Sequence, residues 1–279
     1  MYHGLNHREY VLKQIILLIL LFLSGFFCSF LYAQSHEHNT SPVLDKKQAL
    51  ELSRSVIGKA LSDHHFLNQD EMPVSLSGLR GKPLVVNFIY TSCYHTCPVM
   101  TAHLKNVVKI ARDALGRDSF NVISVGFDTG IDTPERMRLF AVERGINLNE
   151  WQFLSGDSET IKAISSDLGF SFAPSPKGFD HLAQTTVVDA KGTVYRQVYG
   201  ADFDPPLLVE PLKELLFGKP AASGKIDQWV KGIKLFCTIY DPTTGRYQFD
   251  YSIFVMIIVG VICLGSIAAF VVKSWRQKT

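Results

Sequence analysis

At 279 residues, with 47% hydrophobic and 19% charged side chains and a formal net charge of +2, the chain is long enough for one or two ordinary domains and lacks the basic excess of a nucleic-acid binder. Five cysteines are too few to staple a disulfide-built mini-domain of this length, so stability has to come from an apolar core. No internal repeat, low-complexity tract or basic run interleaved with aromatics is present.

The apolar residues are unevenly spread. Residues 14–33 follow Arg8 and Lys13 and are almost wholly apolar, which predicts a signal sequence or an N-terminal transmembrane helix. Cys28 inside it lacks the small neighbours of a lipidation box. Residues 34–55 read as a polar tether holding His36 and His38, with a weak helical pattern entering from Val43 to Lys59. Phe66-Leu67 and Pro73 to Leu76 flank a turn and predict a short hairpin. Leu84 to Tyr90 reads as a buried strand. Met100, Leu104, Val107, Val108, Ala111 and Leu115 then repeat at helical spacing up to Gly116.

Phe120 to Phe127 predicts the next strand, and Thr133-Pro134-Glu135 opens a helix with a cap, a first-turn proline and an acid. Trp151 to Leu154 reads as a short strand, and Asp157 caps a helix ending at Gly169. Pro174 to Gly178 is read as a loop. A strand, turn and strand follow from Ala183 to Tyr199, and Pro205 to Phe217 forms a last helix. This order implies an α/β domain over residues 56–218, a mixed central sheet flanked by helices, thioredoxin-like with an N-terminal extension and an insertion. Residues 219–250 read as a connector. Residues 251–272 form an uncharged stretch of 22, a predicted C-terminal transmembrane helix, followed by Lys273, Arg276 and Lys278. Basic residues flank both apolar stretches, whereas Gln34 to Asp250 carries 23 basic and 25 acidic side chains. The positive-inside rule therefore places both ends in the cytoplasm and the domain outside, in a bacterial periplasm or an equivalent compartment.

The chemistry concentrates at Cys93-Tyr-His-Thr-Cys97-Pro98, where the strand hands over to the helix. Thiols four apart share a face in the first helical turn, and unpaired backbone N–H groups there favour thiolate. Such a pair can close a disulfide, exchange disulfides as a redox couple or grip a soft metal ion. For a metal, a reachable histidine discriminates, and His181 is the candidate because Asp180-His181 ends the 174–178 loop just before a strand. His64-His65, His95, His103 and Cys237 have simpler readings as solvated or packed side chains, and Asp128 and Asp132 as turn or capping residues.

Several ordered motifs together resemble the Sco/SenC family of copper-binding, thioredoxin-like proteins that help assemble the CuA centre of cytochrome c oxidase. They are Gly81-Lys-Pro-Leu-Val-Val, Tyr90-Thr-Ser-Cys-Tyr-His-Thr-Cys-Pro98, Asp128 with Asp132-Thr-Pro134, and Asp180-His181 ahead of Val187-Val-Asp189-Ala-Lys-Gly192. The resemblance implies copper as the bound ion and Cys93, Cys97 and His181 as its ligands. It also implies the copper-binding subunit of cytochrome c oxidase as acceptor, with an upstream copper donor or thiol reductant and no nucleic acid. A thiol-disulfide oxidoreductase using Cys93 and Cys97 as its catalytic pair is the alternative, and a thiol peroxidase or redox sensor a third. The sequence departs from the family pattern at Gly126-Phe-Asp128-Thr-Gly-Ile-Asp132, and by its C-terminal apolar stretch.

Overall fold

The computed structural model describes residues 14–17, 44–94, 96–217 and 238–276. Residues 1–43 and 44–279 form two separate units. Of the first, only a helical fragment at 14–17 is described, so Cys28, His36 and His38 lie outside the described residues, as do His95 and Cys237.

The second unit is built on a seven-stranded sheet. Helix α1 (Lys46–Ser55) precedes β1 (His65–Asn68) and β2 (Pro73–Ser75), then β3 (Leu84–Ile89), α2 (Thr96–Leu115), β4 (Asn121–Gly126), α3 (Pro134–Glu143), β5 (Gln152–Ser155) and α4 (Ser158–Asp167). A separate two-stranded ribbon, β6 (Phe172–Ser175) and β7 (Gly178–His181), leads into β8 (Gln184–Val188), β9 (Val194–Tyr199) and α5 (Pro206–Phe217). The sheet order is β2-β1-β5-β4-β3-β8-β9. Strand β3 pairs parallel with β4 and antiparallel with β8, and β4 pairs parallel with β5, so the sheet is mixed and helices α2 and α3 cross over between parallel neighbours. This is the mixed, thioredoxin-like α/β architecture expected from the order of elements.

All six residues of β3 are buried, which explains an apolar run without alternation: a strand covered on both faces has no wet side. Met100, Leu104, Val107, Val108 and Ala111 are the buried face of α2. Phe88 stacks on Phe170 at 4.1 Å between ring centroids, and joins the sheet to the segment behind α4. Caps act where the sequence places them: Thr133 accepts from the Arg136 N–H at 3.3 Å, and Asp157 from that of Thr160 at 2.8 Å.

Three segments differ from expectation. Helix α1 forms where the weak helical pattern lies, but inside the stretch 34–55 read as a tether. Asp45 caps it, and the Ser53 hydroxyl donates to Gln184 Oε1 at 2.7 Å, so it packs as part of the domain. The 174–178 segment is a hairpin and not a loop: Ser175 pairs with Gly178 around a two-residue turn, and Gly178 supplies the required positive φ of 110°. Part of the connector is also a hairpin, β10 (Thr238–Asp241) with β11 (Arg246–Phe249), whose Tyr247 hydroxyl bonds Glu210 of α5 at 3.1 Å.

Helix α6 (Ser252–Arg276) follows two residues later and is 25 residues long. Among the described residues no helix is long and apolar enough to cross a membrane. The two predicted membrane helices therefore rest on the sequence.

Asp63 ties the hairpin β1–β2 to the turn behind it. Its carboxylate accepts from the Ser75 hydroxyl at 2.7 Å, and from the Ser77 N–H and hydroxyl at 2.9 Å each. The hydrogen bond from Ser75 leads in holding its pKa down at about 2, against an ordinary 3.8. Since the folded value is the lower one, the unfolded chain takes up the proton first. The contribution is complete above pH 3.8 and is lost as the pH falls through about 2. Asp63→Asn should flatten this part of the acid limb, read as urea midpoints at about pH 5, 3 and 2 compared with the parent.

Candidate metal and dithiol centre

Strand β3 ends at Ile89, a turn begins at Tyr90, and the second residue of α2 is Cys97. The turn is closed by the Cys93 N–H donating to the Tyr90 carbonyl at 3.1 Å. Cys93 and Cys97 are two thiols, both buried, and not a disulfide. The Cys97 N–H, one of the helix-start donors without an intrahelical acceptor, donates to Cys93 Sγ at 3.3 Å. The Cys93 sulfur thus accepts a hydrogen bond from the helix start. Burial pushes the Cys97 thiol well up from its ordinary value, against the Tyr90 N–H, and the Cys93 sulfur beside it pushes the same way. The two sulfurs are inequivalent: Cys93 accepts the helix-start N–H, and burial favours the thiol form of Cys97.

Asp132 fixes the loop from behind. It is buried, and its Oδ1 accepts from the Thr91 N–H and hydroxyl, each at 2.7 Å, while Oδ2 accepts from the Asp128 N–H at 2.9 Å. Burial raises its pKa, and the bonds from Thr91 and Asp128 oppose the rise. A Cβ on Gly126 would lie 2.6 Å from that of Asp132, so a glycine there is what lets this carboxylate close over the loop. The departure from the family pattern at residues 126–132 still delivers a carboxylate to the thiol loop. Asp128 forms the turn itself, its carbonyl accepting from the N–H groups of Ile131 and Asp132.

His181 closes β7. Its Nδ1 lies 2.9 Å from the Leu182 carbonyl oxygen, and a carbonyl only accepts, so Nδ1 carries the proton. In the neutral ring Nε2 is then the bare nitrogen suited to a metal. Burial lowers the His181 pKa and favours that neutral form, partly offset by the Leu182 bond and the Asp180 charge. The ring sits among Phe127, Phe170 and Tyr90 at centroid distances of 5.5, 5.6 and 6.1 Å.

The structure thus brings Cys93 and Cys97 together and places His181 across Tyr90 from them. Among the described residues no group of three or more His, Cys, Asp or Glu stands close enough to hold a metal ion. Among the described residues, His64 Nε2 bonds Asp167 at 2.9 Å, His103 Nε2 bonds the Phe203 carbonyl at 2.7 Å, and His65 Nε2 lies 4.0 Å from the Asp63 carboxylate. The sequence reading assigned no role to Tyr90. Its one signal was a hydroxyl-bearing residue ending an otherwise apolar strand next to the thiol loop.

A dithiol at the head of a helix, on a mixed sheet of this order, defines a thioredoxin-like dithiol protein. The SCO1/SenC family model matches residues 57–216, and the chain belongs to that family. The chain is 29% identical over 144 residues to the SCO1 protein homolog of Bacillus subtilis, a match covering 50% of this chain and 74% of the relative. Among solved structures it is similar to a SCO1/SenC family lipoprotein from Bacillus anthracis, with 25% identity, TM-score 0.52, and coverage of 57% of this chain and 95% of the other. It is equally similar to BsSco, described as a member of the Sco family of cytochrome c oxidase assembly proteins, a structure determined in work on a disulfide switch. That match has 25% identity, TM-score 0.51, and covers 57% of this chain and 95% of the other.

Proposed function

We propose that the protein binds one copper ion through Cys93, Cys97 and His181 and delivers it to the thiols of the CuA-bearing subunit of cytochrome c oxidase. The observation that carries this reading is the donor set. Two sulfurs at one helix start and a buried neutral histidine with Nε2 unprotonated are soft and borderline ligands that suit copper over calcium or magnesium. In this reading, loading needs the β6–β7 hairpin to carry His181 toward the sulfurs, a local movement of an element that pairs with no strand of the main sheet. Release to the acceptor is ligand exchange, in which each acceptor thiolate takes the place of one donor ligand.

The uncharged stretch 251–272 supports a membrane anchor at the C-terminus, with the domain on the outer, periplasmic face. Anchoring concentrates the donor near a membrane-bound acceptor. A second reading, reduction of the acceptor's cysteines by the Cys93 and Cys97 pair, is favoured by the inequivalence of the two sulfurs, as one attacks and the other resolves.

Copper titration of the reduced protein, followed by X-ray absorption, should count two sulfur ligands and at least one nitrogen. His181→Ala should lower copper affinity by at least about tenfold while sparing disulfide exchange. Unchanged affinity would sink the three-ligand site, and failure to bind copper at all would leave the redox reading.

A further inference from the structure

Helix α1 meets the rest of the domain at the two ends of the β6–β7 hairpin. The chain enters the hairpin through Leu168 to Phe170 and leaves it through Leu182 to Gln184, the first residue of β8. Ser53, fully buried in the interior of α1, donates its hydroxyl proton to Gln184 Oε1 at 2.7 Å. With that proton committed, its oxygen accepts from the Tyr199 hydroxyl at 2.9 Å. Gln184 Nε2 donates in turn to the Leu168 carbonyl at 3.0 Å, so one side chain ties the exit of the hairpin to its entry. Gln197 Nε2 reaches the same carbonyl at 3.0 Å and the Ser53 carbonyl at 3.4 Å, while its Oε1 accepts from the Thr186 hydroxyl at 2.6 Å. The backbones are as close: a Cβ on Gly169 would lie 2.7 Å from the Ser53 Cα.

A satisfied buried network ordinarily fixes a core and nothing more. Two observations set this one apart. Serine in a helix interior forms the helix less well than alanine, so Ser53 owes its place to its partners. The network also ends on both stems of a hairpin that pairs with no strand of the main sheet. The body of that hairpin rests on ring packing against Phe127, with Phe172 at 4.7 Å and Phe179 at 5.4 Å between centroids. Directional hydrogen bonds hold the stem, and only non-directional packing holds the body. We propose that α1 is a clamp on the stem of this hairpin, with Ser53 as its positioning residue, so that the hairpin swings as one body and delivers His181 along one path. This rests on the function proposed above, in which His181 has to move for copper to load, whereas the clamp itself requires only the hydrogen bonds just named. A loose stem lets His181 explore more arrangements, all but one of which are given up on binding, and affinity falls accordingly.

The test uses the full chain in detergent micelles, reduced. Ser53→Ala removes the hydroxyl and leaves α1 able to form, since alanine is the better helix former. In the metal-free protein, amide exchange across residues 172–181 should accelerate by about fivefold or more, because Gln184 Oε1 loses a buried donor. Strands β1 and β2, at the far edge of the sheet, should exchange as before. Asp63→Ala, which removes hydrogen bonds at that far edge, should leave the hairpin at its parent rate. Competition against a Cu(I) chelator should show Ser53→Ala weakening copper binding by about three- to tenfold, with no further weakening where His181→Ala is already present. Hairpin exchange that Ser53→Ala does not move, or that Asp63→Ala accelerates equally, overturns the clamp. An equal loss of affinity with and without His181 overturns it too, since the effect then does not pass through the histidine. If His181→Ala by itself leaves copper binding at the parent level, the three-ligand site falls, and the exchange measurement still decides the clamp.

Discussion

Cys97→Ala should lower Cu(I) affinity by more than about 100-fold, because losing a first ligand costs more than the 10- to 100-fold typical of groups that only support ligands. Competition of the reduced protein against a colorimetric Cu(I) chelator measures it. The expected stability cost is small by comparison. Cys97 is fully buried and packs as a small apolar side chain, so alanine leaves only a sulfur-sized gap, worth about 1 kcal/mol. The wide separation between the two effects is what makes the experiment decisive: a folded variant that still binds copper at the parent affinity would remove Cys97 from the site. Disulfide exchange should vanish in the same variant, since Cys93 is left without its resolving thiol.

Asp132→Ala should be the most destabilising single change near the site, at about 3 kcal/mol, read from the urea midpoint of the reduced protein. Three donors lose their acceptor together: the Thr91 N–H, the Thr91 hydroxyl and the Asp128 N–H. The alanine side chain offers them nothing, and a buried donor without a partner retains its full desolvation penalty. Asp132→Asn retains one carbonyl oxygen and should cost about half as much. If alanine and asparagine prove equally harmless, the carboxylate does not hold the loop, and the placement of the thiols must come from helix packing alone. A loss confined to Asp132→Ala would show that the loop between strand and helix is pinned from the neighbouring crossover.

The order of elements was legible because its signals are local. Helical spacing in 100–115, the caps at Thr133 and Asp157, and the unbroken apolar run of β3 are each set by residues within a few positions of one another. The β6–β7 hairpin was not legible. Pro174 and Pro176 argue against a strand in sequence, and the segment is a strand only because it folds back on itself around a two-residue turn, away from the main sheet. Helix α1 was legible only as a weak helical pattern over 43–59; its packing onto the domain was not, because what secures it is a pair of contacts from Ser53 to Gln184 and Tyr199, more than a hundred residues along the chain.

The sequence by itself determined the class of fold, the pair of thiols at a helix start, and which histidine was worth watching. The thiol pair follows from spacing, since a spacing of four residues becomes proximity once a helix forms, whereas His181 was singled out by its place just before a strand and by the family resemblance. Only the tertiary structure decided what surrounds the pair. It directs the Cys97 N–H onto the Cys93 sulfur, buries both thiols, brings Asp132 behind the loop from 41 positions past Thr91, and packs His181 against Tyr90, Phe127 and Phe170. These relations join strands β3, β4 and β7 across the fold. No local pattern encodes them, because their energies arise from burial and hydrogen bonding that exist only after the sheet is assembled.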